Sequence, residues 1–281
     1  MFLLQQALPG LLVAALLSGM VAFAGRLWRA NNWGDAVALA MGYAGGHAVT
    51  IGWPPFPASE ATQWLPYVAL ATMFVGVLDT LLQPPGMLRA LVWICYCAGL
   101  LRLLLSPKFQ YGWSLLEGVF WIAGLALGML TLASFLDAAV RRDKSVSSPL
   151  ILTIVACGTG VALMLSGSAL LGQMAIVLVA ALGAILVVTF LFPKSIEGRA
   201  IVPVAVAILA SLWLMGFFYA ELPSASALLL AAALLPGCLL ISFSESRAFS
   251  WKAILLRAGV VLALVAISVV IAFRSSPPLE Y

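Results

Sequence analysis

Charge is what this chain has least of. Asp, Glu, Lys and Arg make up 9% of its 281 residues, while 64% are hydrophobic; soluble domains carry roughly 25% charged residues. No water-soluble fold hides that much apolar side chain, which excludes a cytosolic enzyme, a nucleic-acid binder and a disordered protein. Histidine occurs once, at His47, and the four cysteines (Cys95, Cys97, Cys157, Cys238) all lie inside apolar runs. One imidazole with no carboxylate at ligand spacing makes no metal centre, and these cysteines form neither a disulfide framework nor paired ligands. There is no Gly-x-Ser-x-Gly nucleophile turn, phosphate-binding loop, dinucleotide fingerprint or haem-attachment signal, so no cofactor is expected. The net charge of +4 reads as loop charge that orients a membrane protein, not as a nucleic-acid surface.

What is present is long, continuous apolar sequence, as in 11–24, 174–192 and 260–273. A transmembrane strand would alternate polar and apolar residues over about 10 positions. Continuous runs instead predict helices of about 20 residues. The fold class is therefore all-α, a polytopic transmembrane helix bundle of about ten spans, near 3–24, 36–53, 65–82, 88–105, 112–138, 149–166, 169–192, 200–219, 225–243 and 254–273. Between the sixth and seventh, only Ser166-Gly167-Ser168 is available for a tight turn.

Positive charge sets the expected orientation. Odd-numbered loops and adjoining helix ends carry Arg26, Arg29, Arg89, Arg141, Arg142, Lys144, Lys194, Arg199, Arg247, Lys252 and Arg257, against Arg102, Lys108 and Arg274 on the other side, 11 of the 14 basic residues. Basic loops stay cytoplasmic, so both termini are expected outside. Ala22-Phe23-Ala24 resembles a signal-peptide cleavage site, but no basic residue precedes the first apolar run, and cleavage would reverse the charge pattern. Trp28, Trp33 and Trp251 fall at the inner boundary and Trp53, Trp64 and Trp113 at the outer one, where indoles bridge lipid and water. Trp93, Trp121 and Trp213 lie deeper, where helix packing is the expected reason.

The chain divides as 1–140 (spans one to five, aromatic and more polar), a basic linker at 141–148 and 149–281 (spans six to ten, Ala/Leu/Val-rich). A five-span repeat would insert with inverted topology, as many transporters do, although no matching residues link the halves. Ten spans in this length are similar in size to the drug/metabolite transporter superfamily. That likeness covers span count and length only and transfers no residue.

Ionisable residues inside a bilayer cost at least about 2.5–3.5 kcal/mol at a helix centre, so the few retained are the candidates for function. His47 lies about 9 Å below the outer boundary at 1.5 Å per residue. Arg102 and Glu117 reach similar depth on adjacent antiparallel spans and could pair. With Tyr43 and the loop residue Glu60 they outline a small outward polar pocket. The alternatives are structural: Arg102 snorkels to the interface, Glu117 is simply wet, and His47 hydrogen-bonds between helices. Asp79, near the cytoplasmic end of its span just before Gln83-Pro84-Pro85-Gly86, faces water there, pairs with Arg89, or serves an ion or proton.

Small residues recur every four positions at Ala38, Gly42, Gly46 and Thr50, and again at Gly124 and Gly128. Such stripes let helices approach closely, within one chain or between chains. Pro236-Gly237 interrupts the ninth span in its middle, a helix break that either lines a site or merely kinks. The loop 53–64 holds three prolines and two tryptophans and reads as a stiff interfacial cap.

Three functions fit. A transporter or small-solute-binding protein requires a solvent-connected cavity reaching mid-membrane. A non-catalytic subunit that packs on other membrane proteins, or on a second copy, requires an exposed face of small residues. A membrane enzyme acting on a lipid-linked substrate requires at least two converging titratable groups. The lipid bilayer is the one partner all three share.

Overall fold

The computed structural model describes residues 2–27, 33–58, 60–142, 147–192, 201–236 and 251–275. Their elements are α1 Phe2–Leu27, α2 Gly34–Thr50, a 3-10 turn Ala61–Trp64, α3 Leu65–Leu82, α4 Gly86–Leu104, α5 Ser106–Tyr111, α6 Leu115–Arg142, α7 Ser147–Leu165, α8 Ala169–Leu191, α9 Ile201–Tyr219, α10 Ser224–Ala232 and α11 Trp251–Ser275. No strand occurs among the described residues. Eight helices (α1, α3, α4 and α6–α9, with α11) are long and apolar enough to cross a membrane. The chain is an all-α, multi-pass membrane protein. The second and ninth expected spans fall on shorter helices, α2 with 17 residues and the apolar stretch Ser224–Pro236. Gly237, Cys238, Trp28 and linker positions 143–146 lie outside the described residues.

Helix ends follow local chemistry. At Ser166-Gly167-Ser168 the Ser168 N–H donates to the Leu163 carbonyl and the Gly167 N–H to that of Met164, the two bonds of a Schellman cap. Gly167 takes φ +90°, which a glycine adopts without steric cost. The Ser168 hydroxyl then accepts from Leu171 N–H and starts α8, so one serine-glycine turn closes α7 and opens α8. α10 stops at Ala232, four residues before Pro236, whose ring crowds that carbonyl and which has no N–H to give it.

α9 is the central post, with 83% of its span buried against 11% for α6. It packs on α2, α3, α6, α7 and α8. Alanines alternate with branched residues along it, as in Val204-Ala205-Val206-Ala207, so several helices can approach. α1 packs on α2 and α8, α7 on α8 and α11, and α4 on α6. Contacts therefore run between the first five spans and the last five. Between sequence spans four and five, where a plain loop is expected, Pro107 near the start of α5 nucleates a six-residue helix.

Lipid tails are as apolar as leucine, so helix association rests on close packing and polar contacts. The Ser18 hydroxyl donates to the Ala38 carbonyl at 2.9 Å. Ser226 and Ser268 join α10 to α11, their hydroxyls 2.6 Å apart and each within hydrogen-bond reach of the other's carbonyl. The deep tryptophans have similar explanations. Trp213 donates from its indole to Thr159 Oγ1 at 2.8 Å, Trp121 stacks on Trp113 at 5.9 Å, and Trp93 meets Tyr96 edge-on. Thr159→Val would strand the buried indole N–H. Thermal unfolding in detergent is expected to show a loss of about 1–3 kcal/mol, while an unchanged midpoint would remove this bond from the account of α7–α9 packing.

Candidate functional site

A cavity of ≈750 Å³ opens between α3, α4, α6 and α9, inside the 300–1,000 Å³ range of small-molecule sites. Each wall is a helical ridge of residues four apart: Gly76 and Thr80 on α3, Arg89, Trp93 and Cys97 on α4, Met129, Ala133 and Asp137 on α6. Pro203, Val206 and Ala207 of α9 close the fourth side. One end of the lining lies at Gln83-Pro84 and Gly86, where Gln83 sits in the left-handed region at φ 44° and ends α3. Cys97 is about 16 Å along α4 from Gly86 at 1.5 Å per residue, near the middle of a hydrocarbon layer about 30 Å thick.

Asp79, Arg89 and Asp137 come from three helices and meet in this cavity. Arg89 Nη2 lies 2.7 Å from Asp79 Oδ2 and 4.0 Å from Asp137 Oδ2. Both carboxylates are largely buried and the guanidinium is over one-third exposed. The opposed charges lower the expense of keeping carboxylates among apolar helices. Deeper in, the Tyr96 hydroxyl bonds Thr72 Oγ1, and Thr72 donates to the Val68 carbonyl. That contact ties α4 to α3 beyond the inner end of the cavity. The arrangement offers a solute charged and hydroxyl groups near the Gln83–Gly86 end and two aromatic rings beyond them.

The residues expected to share an outward pocket are placed as follows. Tyr43 and His47 lie one turn apart on α2 and are buried, at 0% and 1% exposure. Arg102 is exposed on α4, its guanidinium 4.3 Å above the Phe109 ring. Glu117 is exposed in the first turn of α6, where its carboxylate accepts from the Ser114 N–H and hydroxyl at 2.9 Å each and its own N–H donates to Ser114 Oγ. This is the reciprocal capping box written in sequence as Ser-x-x-Glu, a signal that the search for intramembrane charge passes over. No salt bridge among the described residues joins Arg102 to Glu117. Glu60 is exposed before the 3-10 turn, its carbonyl taking the Gln63 N–H. Tyr43 and His47 are thus brought together, and Arg102 and Glu117 each have another local role.

Asp79 does meet Arg89, the pairing that sequence proximity suggested. Asp137 was not singled out from sequence. Its signal was available: an acidic residue near the same membrane boundary as Asp79, at the end of another odd-numbered span. Ala38, Gly42 and Gly46 face α1, whereas a Cβ added at Gly124 or Gly128 would meet nothing within 4 Å. Pro236 ends the described part of its segment, and Gly237 is beyond it. No three His, Cys, Asp or Glu side chains among the described residues cluster as metal ligands.

No family model matches this chain, and no curated protein is significantly similar to it.

Proposed function

We propose that the chain is a membrane transporter or small-solute-binding protein whose solute enters the Asp79–Arg89–Asp137 cavity. The carrying observation is the depth of that cavity, from the α3–α4 turn to Cys97 and Tyr96 near mid-membrane. A structural subunit needs no such space. The orientation proposed with it places the basic loops in the cytoplasm, both termini outside and the Gln83–Gly86 end of the cavity toward the cytoplasm. Solute would meet an ion pair that can exchange partners at that end, then the rings of Trp93 and Tyr96. The enzyme reading also calls for converging titratable groups. Against it, the Asp79 carboxylate is already engaged by Arg89 at 2.7 Å, which is not the state of a poised general base.

Ser134 lines the cavity on α6, which gives a direct test. In a background with all four native cysteines replaced by alanine, Ser134→Cys is expected to react with a membrane-impermeant thiol reagent added from the cytoplasmic face of sealed vesicles. Phe120→Cys, on the exposed face of the same helix, is expected to stay unreacted within lipid. Equal protection of both positions would sink the solute-cavity reading.

The subunit reading keeps one specific support. α6 is mostly unburied, and its Gly124 and Gly128 have open space before them, as a face for another membrane helix would.

A further inference from the structure

Resting on the solute-cavity reading above, we infer that the solute is a lipophilic organic cation. Its positive centre is held by the Asp79 and Asp137 carboxylates and its apolar body by the Trp93 and Tyr96 rings, all of which line the same cavity. Charge placement works against an anion. Arg89 is the group an anion would seek, but its Nη2 lies 2.7 Å from Asp79 Oδ2 and 4.0 Å from Asp137 Oδ2. An anion approaching that guanidinium meets two carboxylates beside it, and like charges away from bulk water repel strongly. A cation meets the reverse. Each carboxylate has two oxygens and about four acceptor sites, so Asp79 and Asp137 can take a further positive group while keeping the contacts they have.

The aromatic residues favour the same sign. The Trp93 and Tyr96 rings have centroids 5.9 Å apart and stand at 88° to each other, so their faces form a corner. Ring faces carry the negative part of the aromatic quadrupole and attract cations, tryptophan most strongly. Trp93 follows Arg89 by one turn, about 6 Å along α4, which sets the rings just beyond the carboxylates. Met129 and Leu130 of α6 and Val206 of α9 add apolar walls. A bare metal ion fills little of the ≈750 Å³ and makes little use of those walls. A charged head on an apolar body uses both parts of the cavity.

The full chain in non-ionic detergent tests this, with Ser134→Cys as the reporter in the background free of native cysteines. Two pairs of probes share a shape and differ in the sign of their charge: benzyltrimethylammonium against benzenesulfonate, and tetraphenylphosphonium against tetraphenylborate. At least one of the two cations is expected to slow thiol labelling in a saturable way, and neither anion is. Asp137→Asn is expected to raise the half-protecting concentration of that cation about tenfold or more. If Asp137→Asn does not fold, the comparison of charge signs on the reporter alone still decides. A reactive thiol that neither cation protects, or that the anions protect equally well, overturns the cation and leaves the cavity standing. So does protection that Asp137→Asn leaves unchanged. A thiol that never reacts removes the cavity itself, and with it both readings.

Discussion

Asp35→Ala is expected to cost about 3–5 kcal/mol of stability, the usual penalty for breaking one side of a buried ion pair. Arg26 ends α1 and Asp35 begins α2. Arg26 Nη2 donates to both carboxylate oxygens at 2.9 Å, and the side chains are only 8% and 13% exposed. The same guanidinium reaches Thr189 Oγ1 at 3.3 Å and the Phe192 carbonyl at 3.4 Å. It thereby fastens the ends of α1, α2 and α8 at one point. Removing the carboxylate takes away the counter-charge 2.9 Å from the guanidinium. A chemical-denaturation curve in detergent measures the effect, and a shift below about 1 kcal/mol would class the pair with surface bridges. The double replacement Arg26→Met with Asp35→Leu is expected to recover most of the loss, since it removes both desolvated charges together.

Gly46→Leu is expected to prevent α1 and α2 from packing and to leave little folded protein. Even a methyl at Gly46 would sit 2.6 Å from Val177 Cγ1, 2.8 Å from Ala14 Cβ and 2.9 Å from the Gly10 carbonyl oxygen. At Gly42 it would overlap the Ser18 hydroxyl and come within 2.8 Å of the Ala14 carbonyl. Side chains can turn aside, but backbone carbonyls on the neighbouring helix cannot. Gly46→Ala is accordingly expected to cost about 1–3 kcal/mol. Gly124→Leu and Gly128→Leu are the contrast, expected to leave the monomer's stability within about 0.5 kcal/mol. Yields of monodisperse protein and melting midpoints for the four variants separate the two stripes. Folded Gly124→Leu protein that loses a co-purifying partner, or its own dimer, would favour the subunit reading of α6. A severe effect on the isolated monomer would contradict the open space seen there.

The two glycine stripes show how far sequence reaches. Ala38, Gly42, Gly46 and Thr50 have the same four-residue spacing as Gly124 and Gly128. Spacing states that a face is smooth; it does not state what lies against it. One stripe is filled by α1, with Thr50 meeting Gly10, and the other faces open space. The ionisable residues teach the same lesson. Depth counted from the outer ends of their spans gave Arg102 and Glu117 similar height, but similar height leaves the direction around each helix unspecified. Arg102 turns to Phe109 on the short α5, a helix absent from a reading that assigned those residues to a loop. Glu117 turns back to Ser114, three residues away, because a local bond closes with less lost freedom than a distant one.

The amino-acid order alone determined that this is a membrane-embedded helical bundle, with its segments near their observed positions and most basic residues toward alternate turns. Those properties follow from hydropathy and hydrogen bonding in lipid, where every backbone polar group must be satisfied within its own helix. Tertiary structure decided which helix stands beside which. It placed α9 at the centre, converged Asp79, Arg89 and Asp137 from three separate helices, and left both Tyr43 and His47 buried away from them. Such neighbourhoods depend on the rotation of each helix about its axis and on contacts between residues dozens of positions apart, and no periodicity within a single span encodes either.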